Sequence, residues 1–142
     1  MWSDTFLHAE QRHLLRLLLW AALSVLAATV ILVVITVRRI RSGLLSHFAV
    51  QMALWGIVIG AIAALEWHGL HLRDVSGAAR TERTLWMNIG LDVGFAGMGC
   101  VLGACGQILA RNSAAVGAGV GIVVQGLGLL LIDLQFAVMI SR

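Results

Sequence analysis

Four apolar runs, each close to the ~20 residues that a helix needs to cross a bilayer, constrain this chain more than any other feature. They fall at about residues 14–37, 47–65, 85–110 and 114–140. Only 12% of the 142 residues are charged. A soluble domain carries about 25%, so half the polar surface that water demands is missing. That composition argues against a water-soluble enzyme. The expected fold is all-α: a four-helix transmembrane bundle forming a single integral membrane domain over residues 1–142.

The first span follows a polar start containing Asp4, Glu10, Arg12 and His13. A signal peptide has a shorter apolar stretch and a small-residue cleavage site, so this span is expected to be retained. Arg38-Arg39-Ile40-Arg41-Ser42-Gly43 turns the chain, and Ser46 is the expected cap of the second helix. The longest polar stretch, His71 to Thr84, is the only connection with room for a water-facing feature. Spans three and four are separated only by Arg111-Asn112-Ser113, which makes them an antiparallel hairpin. The chain has no proline, so no helix has an obvious kink.

All ten basic residues are arginines placed in loops and ends. In an apolar chain such arginines set topology and meet anionic lipid heads, and nucleic acid is not an expected partner. The termini and the second connection hold six of them and the other two connections four, favouring a cytoplasmic N-terminus. The dense Arg38, Arg39, Arg41 group argues the reverse, so the count gives no single orientation. Trp2, Trp20, Trp67 and Trp86 lie near span ends, as an aromatic belt requires. Cys100 and Cys105 differ by about 140° around one helix, so they are expected as buried small hydrophobes rather than a pair.

Glycine has a pattern. On a helical wheel Asn88, Asp92, Gly99, Gly103 and Gly106 share one face of span three, with Gly90, Gly94 and Gly97 opposite. In span four Gly117, Gly121, Gln125, Gly128 and Gln135 fall together. Small residues four apart let helix backbones touch, so Gly90, Gly94, Gly99, Gly103, Gly121 and Gly128 are the expected packing positions. One face of span three is expected to serve the subunit itself and the other a further helix or copy.

Antiparallel geometry puts Asp92 and Asp133 at one depth, each roughly 8–9 Å from the span centre. An ionised carboxylate there costs at least ~2.5–3.5 kcal/mol, so each acid must be protonated, paired or wetted. Two anions at one depth also repel, so at least one is expected to hold its proton. The acids either share a proton or cation site, or hydrogen-bond neighbours such as Asn88, Gln135, Trp67 or Arg16 and lock the bundle. A second polar group, His47, Gln51 and Gln107, lies in the other half, where amides across helices are ordinary bundle glue. A b-type haem needs two facing imidazoles; His47 and His68 supply no pair at one depth. Glu66, His68 and His71 read as a solvated interfacial trio, so neither a metal nor a cofactor is expected. No nucleophile, phosphate-loop or other catalytic pattern is present.

Asn88-Ile89-Gly90-Leu91-Asp92-Val93-Gly94-Phe95 resembles the N-x-G-L-D-x-G-aromatic segment of a bacterial family of small four-helix membrane proteins of unknown function. Val124-Gln125-Gly126 with Leu129 to Leu134 is similar to that family's last-helix Q-G-x-x-L-L-x-x-D segment. The resemblance implies that Asn88, Asp92, Gln125 and Asp133 belong together and that the protein resides in a bacterial inner membrane. It implies no activity. The second helix departs from the family's His-x-x-Asn pattern: Met52 takes the asparagine position and His47 is displaced.

The expected function is therefore that of a non-enzymatic structural or accessory subunit, in a homo-oligomer or larger membrane complex. The alternative is proton or small-solute handling by Asp92 and Asp133; a haem- or pigment-binding redox subunit is the third reading. Four crossings place both termini in one compartment. Single cysteines at Ser3, Gly77 and Ser141, in a chain with Cys100 and Cys105 replaced, are expected to label from one side and a cysteine at Ser42 from the other. Opposite labelling at Ser3 and Ser141 refutes four crossings.

Overall fold

Each apolar run is helical, and two helices continue well past the run that marks them. In the computed structural model, which describes residues 2–141, α1 spans Trp2–Val37, α2 Gly43–His68, α3 Val75–Ile108 and α4 Ser113–Ile140. No strand occurs among the described residues. All four helices are long and apolar enough to cross a membrane. The 36 residues of α1 and 34 of α3 extend about 54 and 51 Å at 1.5 Å per residue, well beyond an apolar core of ~30 Å. The surplus is polar: residues 2–13 and 75–84 carry the charges that stopped the hydropathy runs, yet no proline interrupts the helices.

The polar stretch expected as a long connection is thus largely the first turns of α3. Asp74 starts them, accepting hydrogen bonds from the Gly77 amide at 2.7 Å and the Ser76 hydroxyl at 2.9 Å. These donors hold its carboxyl below the usual aspartate range. The folded cap therefore binds a proton less readily than the unfolded chain does. Its contribution is complete above the ordinary aspartate range and is lost as pH falls through the lowered value.

At α2 the cap is Ser42 rather than Ser46, because the helix begins at Gly43. Ser42 accepts from the Leu45 amide, whereas the Ser46 hydroxyl donates back to the Ser42 carbonyl at 3.0 Å. Arg39 and Arg111 take left-handed φ values of 52° and 46°, which lets connections this short reverse the chain.

Helix α4 is central: it packs along α1, α2 and α3, while α3 lies chiefly against α4. Glycine makes this possible. Gly117, Gly121 and Gly128 fall within about 40° on the wheel, and Gly119 and Gly126 lie roughly opposite. The first set meets the Leu44 carbonyl, the Gln51 side chain and the Trp20 ring. On the other side, an added Cβ at Gly119 falls 2.7 Å from the Gly99 carbonyl, and one at Gly126 falls 2.9 Å from the Asp92 carbonyl. Helices α1 and α2 use the same device with alanine and serine. Ala21, Ser24 and Ala28 face Ala49, Met52 and Gly56, and a Cβ on Gly56 falls 3.0 Å from the Ala21 carbonyl.

Two local expectations, the buried cysteines and the interfacial Trp20, need correction. Cys100 and Cys105 are exposed and unpaired, because α3 is packed on one side only and most of its circumference faces outward. On the face of α3 left for a further helix or copy, Gly90, Gly94 and Gly97 have nothing within 4 Å of an added Cβ; Gly103 has nothing there either, although its backbone lies against Gly119. Trp67 and Trp86 stand exposed, but Trp20 turns inward. The Trp2 side chain and Arg142 lie outside the described residues.

Gly119→Leu is expected to lower the stability of the purified protein by at least about 1–3 kcal/mol, since the α3 backbone cannot retreat without losing the contact. Leu131→Ala, at a 62% exposed position, is the control and is expected to change little. Equal denaturation curves for Gly119→Leu and the unaltered chain refute the close contact.

Candidate functional site

The site lies where α1 and α3 begin and α2 and α4 end. Because α3 rests mainly on α4, it stands away from α1 at this end. A cavity of about 340 Å³ opens between them. Glu10, His13 and Leu14 line it from α1, Glu66 from α2, and Phe136 from α4. Arg73 comes from the α2–α3 connection, and Arg80, Thr81, Thr84, Leu85 and Asn88 from α3. The apolar part of this wall is a small cluster of Ala9, Leu85 and Phe136.

A polar tie joins the two walls. Glu10 is only 5% exposed, and a buried carboxylate needs charged or hydrogen-bonding partners. Arg73 Nε donates to its two oxygens at 3.2 and 3.4 Å, and the Thr81 hydroxyl donates at 3.4 Å. The first turns of α1 and α3 are therefore fastened across the cavity mouth by one carboxylate.

Further in lies His13, on the same face of α1 as Glu10 and one turn deeper. Its ring stacks on Phe136 with centroids 4.4 Å apart and planes 17° from parallel. Its Nε2 is 3.7 Å from Asp133 Oδ1, adjacent but beyond hydrogen-bond range. Its Nδ1 is buried and has no protein partner. Asp133 and Asp92 are each 5% exposed and near enough to interact electrostatically. Asp92 Oδ2, like His13 Nδ1, is buried without a partner. Each acid sits one helical turn beyond a cavity-lining residue, Asp92 beyond Asn88 and Asp133 beyond Phe136. Asn88 itself is exposed and contributes to the wall.

Gln125 belongs to a different set. Its Oε1 accepts from the Trp20 indole at 2.8 Å, and its Nε2 donates to the Ser24 hydroxyl at 3.0 Å and approaches the Met52 carbonyl at 3.5 Å. This network joins α1, α2 and α4. The reason is angular: Gln125 and Asp133 differ by about 80° on α4, so one faces α1 and α2 while the other turns towards α3. The grouping of Asn88, Asp92, Gln125 and Asp133 is thus divided in two.

The second expected group does not come together. His47 is exposed, its Nδ1 3.0 Å from the Gly43 carbonyl of its own helix; Gln107 is exposed; Gln51 packs against Gly121. No hydrogen bond joins the three among the described residues. His68 is exposed at the opposite end of α2 from His47, and no described group of three His, Cys, Asp or Glu residues is arranged to hold a metal.

Sequence reasoning missed His13, Ser24 and the Glu10–Arg73 tie. The available signal for His13 was its three-residue spacing from Glu10 on a continuous helix, hidden by beginning the first span at Leu14.

The chain is an all-helical protein with four helices of membrane-crossing length. A family model described as "Family of unknown function (DUF6992)" matches residues 16–134, and the chain belongs to that family. No curated protein and no solved structure matches it.

Gln125→Leu is expected to cost about 1–3 kcal/mol in a denaturant titration of the purified protein, because it strips partners from the Trp20 indole and Ser24 hydroxyl. Trp20 fluorescence is expected to shift as its indole loses the acceptor. Unchanged stability and emission contradict the network.

Proposed function

We propose that this chain is a non-enzymatic, multi-pass membrane protein, a structural or accessory subunit that assembles with copies of itself or within a larger complex of the bacterial inner membrane. Its outward faces support the membrane setting. Leu19, Leu23 and Leu26 of α1 are 63, 59 and 61% exposed, and Ile57, Leu65, Val101 and Leu131 are similarly bare. In water such a surface is a strong aggregation liability, whereas lipid tails cover it without cost.

The observation that carries the assembly reading is the unused glycine face of α3. All five glycines of α4 sit against another helix, yet Gly90, Gly94 and Gly97 have no neighbour within 4 Å. A bilayer helix gains packing energy by close approach at small residues. Glycine otherwise costs about 1 kcal/mol relative to alanine in a helix, so three bare ones on one face suit a partner helix.

The test is the mass of the purified protein in lipid nanodiscs and mild detergent. Gly94→Leu is expected to reduce the assembled fraction while leaving thermal stability of the single chain unchanged, since no atom of that chain lies in its way. An unaltered protein that is monomeric and copurifies with nothing, or a Gly94→Leu, Gly97→Leu double variant that assembles normally, overturns the reading.

A further inference from the structure

We propose that His13, Asp133 and Asp92 form a single proton-binding site, loaded and unloaded from the cavity through the imidazole of His13. The proposal is independent of the assembly reading. It rests on three observations: His13 lines the cavity, His13 stands beside Asp133, and two buried polar atoms in this set have no protein partner.

The imidazole is the natural intermediary because its two nitrogens exchange donor and acceptor roles. In the proposed transfer the ring, whose Nδ1 is buried at rest, shifts enough for a proton from cavity water to bond to Nδ1 as the proton on Nε2 passes to Asp133 Oδ1. The ring begins as the Nε2–H tautomer and ends as the Nδ1–H tautomer, with one proton gained by the carboxylate and none left over. The 3.7 Å separation must close by about half an ångström for the transfer. Stacking on Phe136 opposes a ring flip, so the site resets by the reverse path: Asp133 returns its proton to Nε2, and Nδ1–H is released to the cavity.

Charges on every neighbouring element bear on this site. Glu10 and Arg16 lie on the same helix as His13, Glu66 closes α2, Arg73 is in the connection, and Arg80 and Asp92 come from α3. Glu10 is engaged by Arg73, which leaves the two aspartates as the buried acids without a cation in contact. Holding both as anions costs each the ionic penalty of an apolar surrounding, so the proposed site retains at least one proton on the pair.

Access is from one side only. No Asp, Glu, His, Arg or Lys occurs at residues 17–37, 48–65, 93–107 or 113–132. Gln125, the next polar group inward on α4, spends its amide on Trp20, Ser24 and Met52. The site therefore binds and exchanges protons with one compartment and does not conduct them across.

Infrared spectroscopy of the protein in nanodiscs reads this directly. At neutral pH the unaltered chain is expected to show a protonated-carboxyl band that shifts in heavy water and on aspartate-specific ¹³C labelling, which needs no substitution. Asp133→Asn or Asp92→Asn is expected to abolish that band's pH response. His13→Gln, with helix content unchanged, is expected to move the midpoint by about one pH unit, a tenfold change in proton affinity, or to slow the heavy-water exchange at least tenfold. A spectrum without an aspartate band at any pH, or a band whose midpoint and exchange ignore His13→Gln and His13→Phe alike, overturns the proposal.

Discussion

The fold depends on the absence of side chains around α4. Helix α4 is packed on two opposite sides at once, and at five positions there is no space for a Cβ. Three of these glycines admit the Leu44 carbonyl, the Gln51 side chain and the Trp20 ring; the other two admit the α3 backbone. In the bilayer proposed for this chain, where burial of hydrocarbon gives helices little reason to associate, such contacts are a principal source of attraction. Remove them from α4 and the other helices keep the α1–α2 packing and, between α1 and α3, the Glu10–Thr81 tie.

The same arrangement sorts the polar residues. An 80° step around α4 separates Gln125 from Asp133. Gln125 falls where α1 and α2 converge, so each of its amide atoms finds a partner on another helix. Asp133 falls towards α3, where the gap between α1 and α3 supplies a histidine at 3.7 Å and an open cavity instead of a full set of donors. Gln125 is therefore hydrogen-bonded through both amide atoms, whereas beside Asp133 the His13 Nδ1 and Asp92 Oδ2 atoms are buried without a protein partner. Incomplete satisfaction of buried polar atoms is uncommon in folded proteins, and each instance calls for a specific explanation such as a chemical role or a bound water.

The number of helices, the tight α3–α4 hairpin and the two faces of α3 were legible because they depend on hydropathy, loop length and wheel angle, all of which are local. The inward direction of Asp92 was legible for the same reason: it shares its face with Gly99 and Gly106, which must meet another helix. Helix ends were less legible. A hydropathy window stops at the first charges, whereas the backbone of α1 and α3 continues through them, and His13 was consequently left outside the span. Trp20 read as an interfacial aromatic because its position alone fits a belt; only the crossing of α1 and α4 brings Gln125 within 2.8 Å of its indole. Pairings of this kind depend on which helix neighbours which, and four similar apolar helices carry little information about that choice.

Helix α3 connects the two halves of the molecule's chemistry. Asp92 lies on the face held by α4, and Gly90, Gly94 and Gly97 lie about 140–200° away on the face that touches nothing. Within this chain α3 is held laterally by α4 and, at its first turns, by the carboxylate of Glu10 acting through Thr81 and the adjacent Arg73. A partner helix on the bare face, as proposed above, would press α3 towards α4 and bear on the gap to α1 that contains the cavity. Asp92 travels with α3, whereas His13 and Asp133 belong to α1 and α4. On the two readings proposed above, any shift of α3 that favoured one event would favour the other by the same free energy, because linkage between two sites is reciprocal.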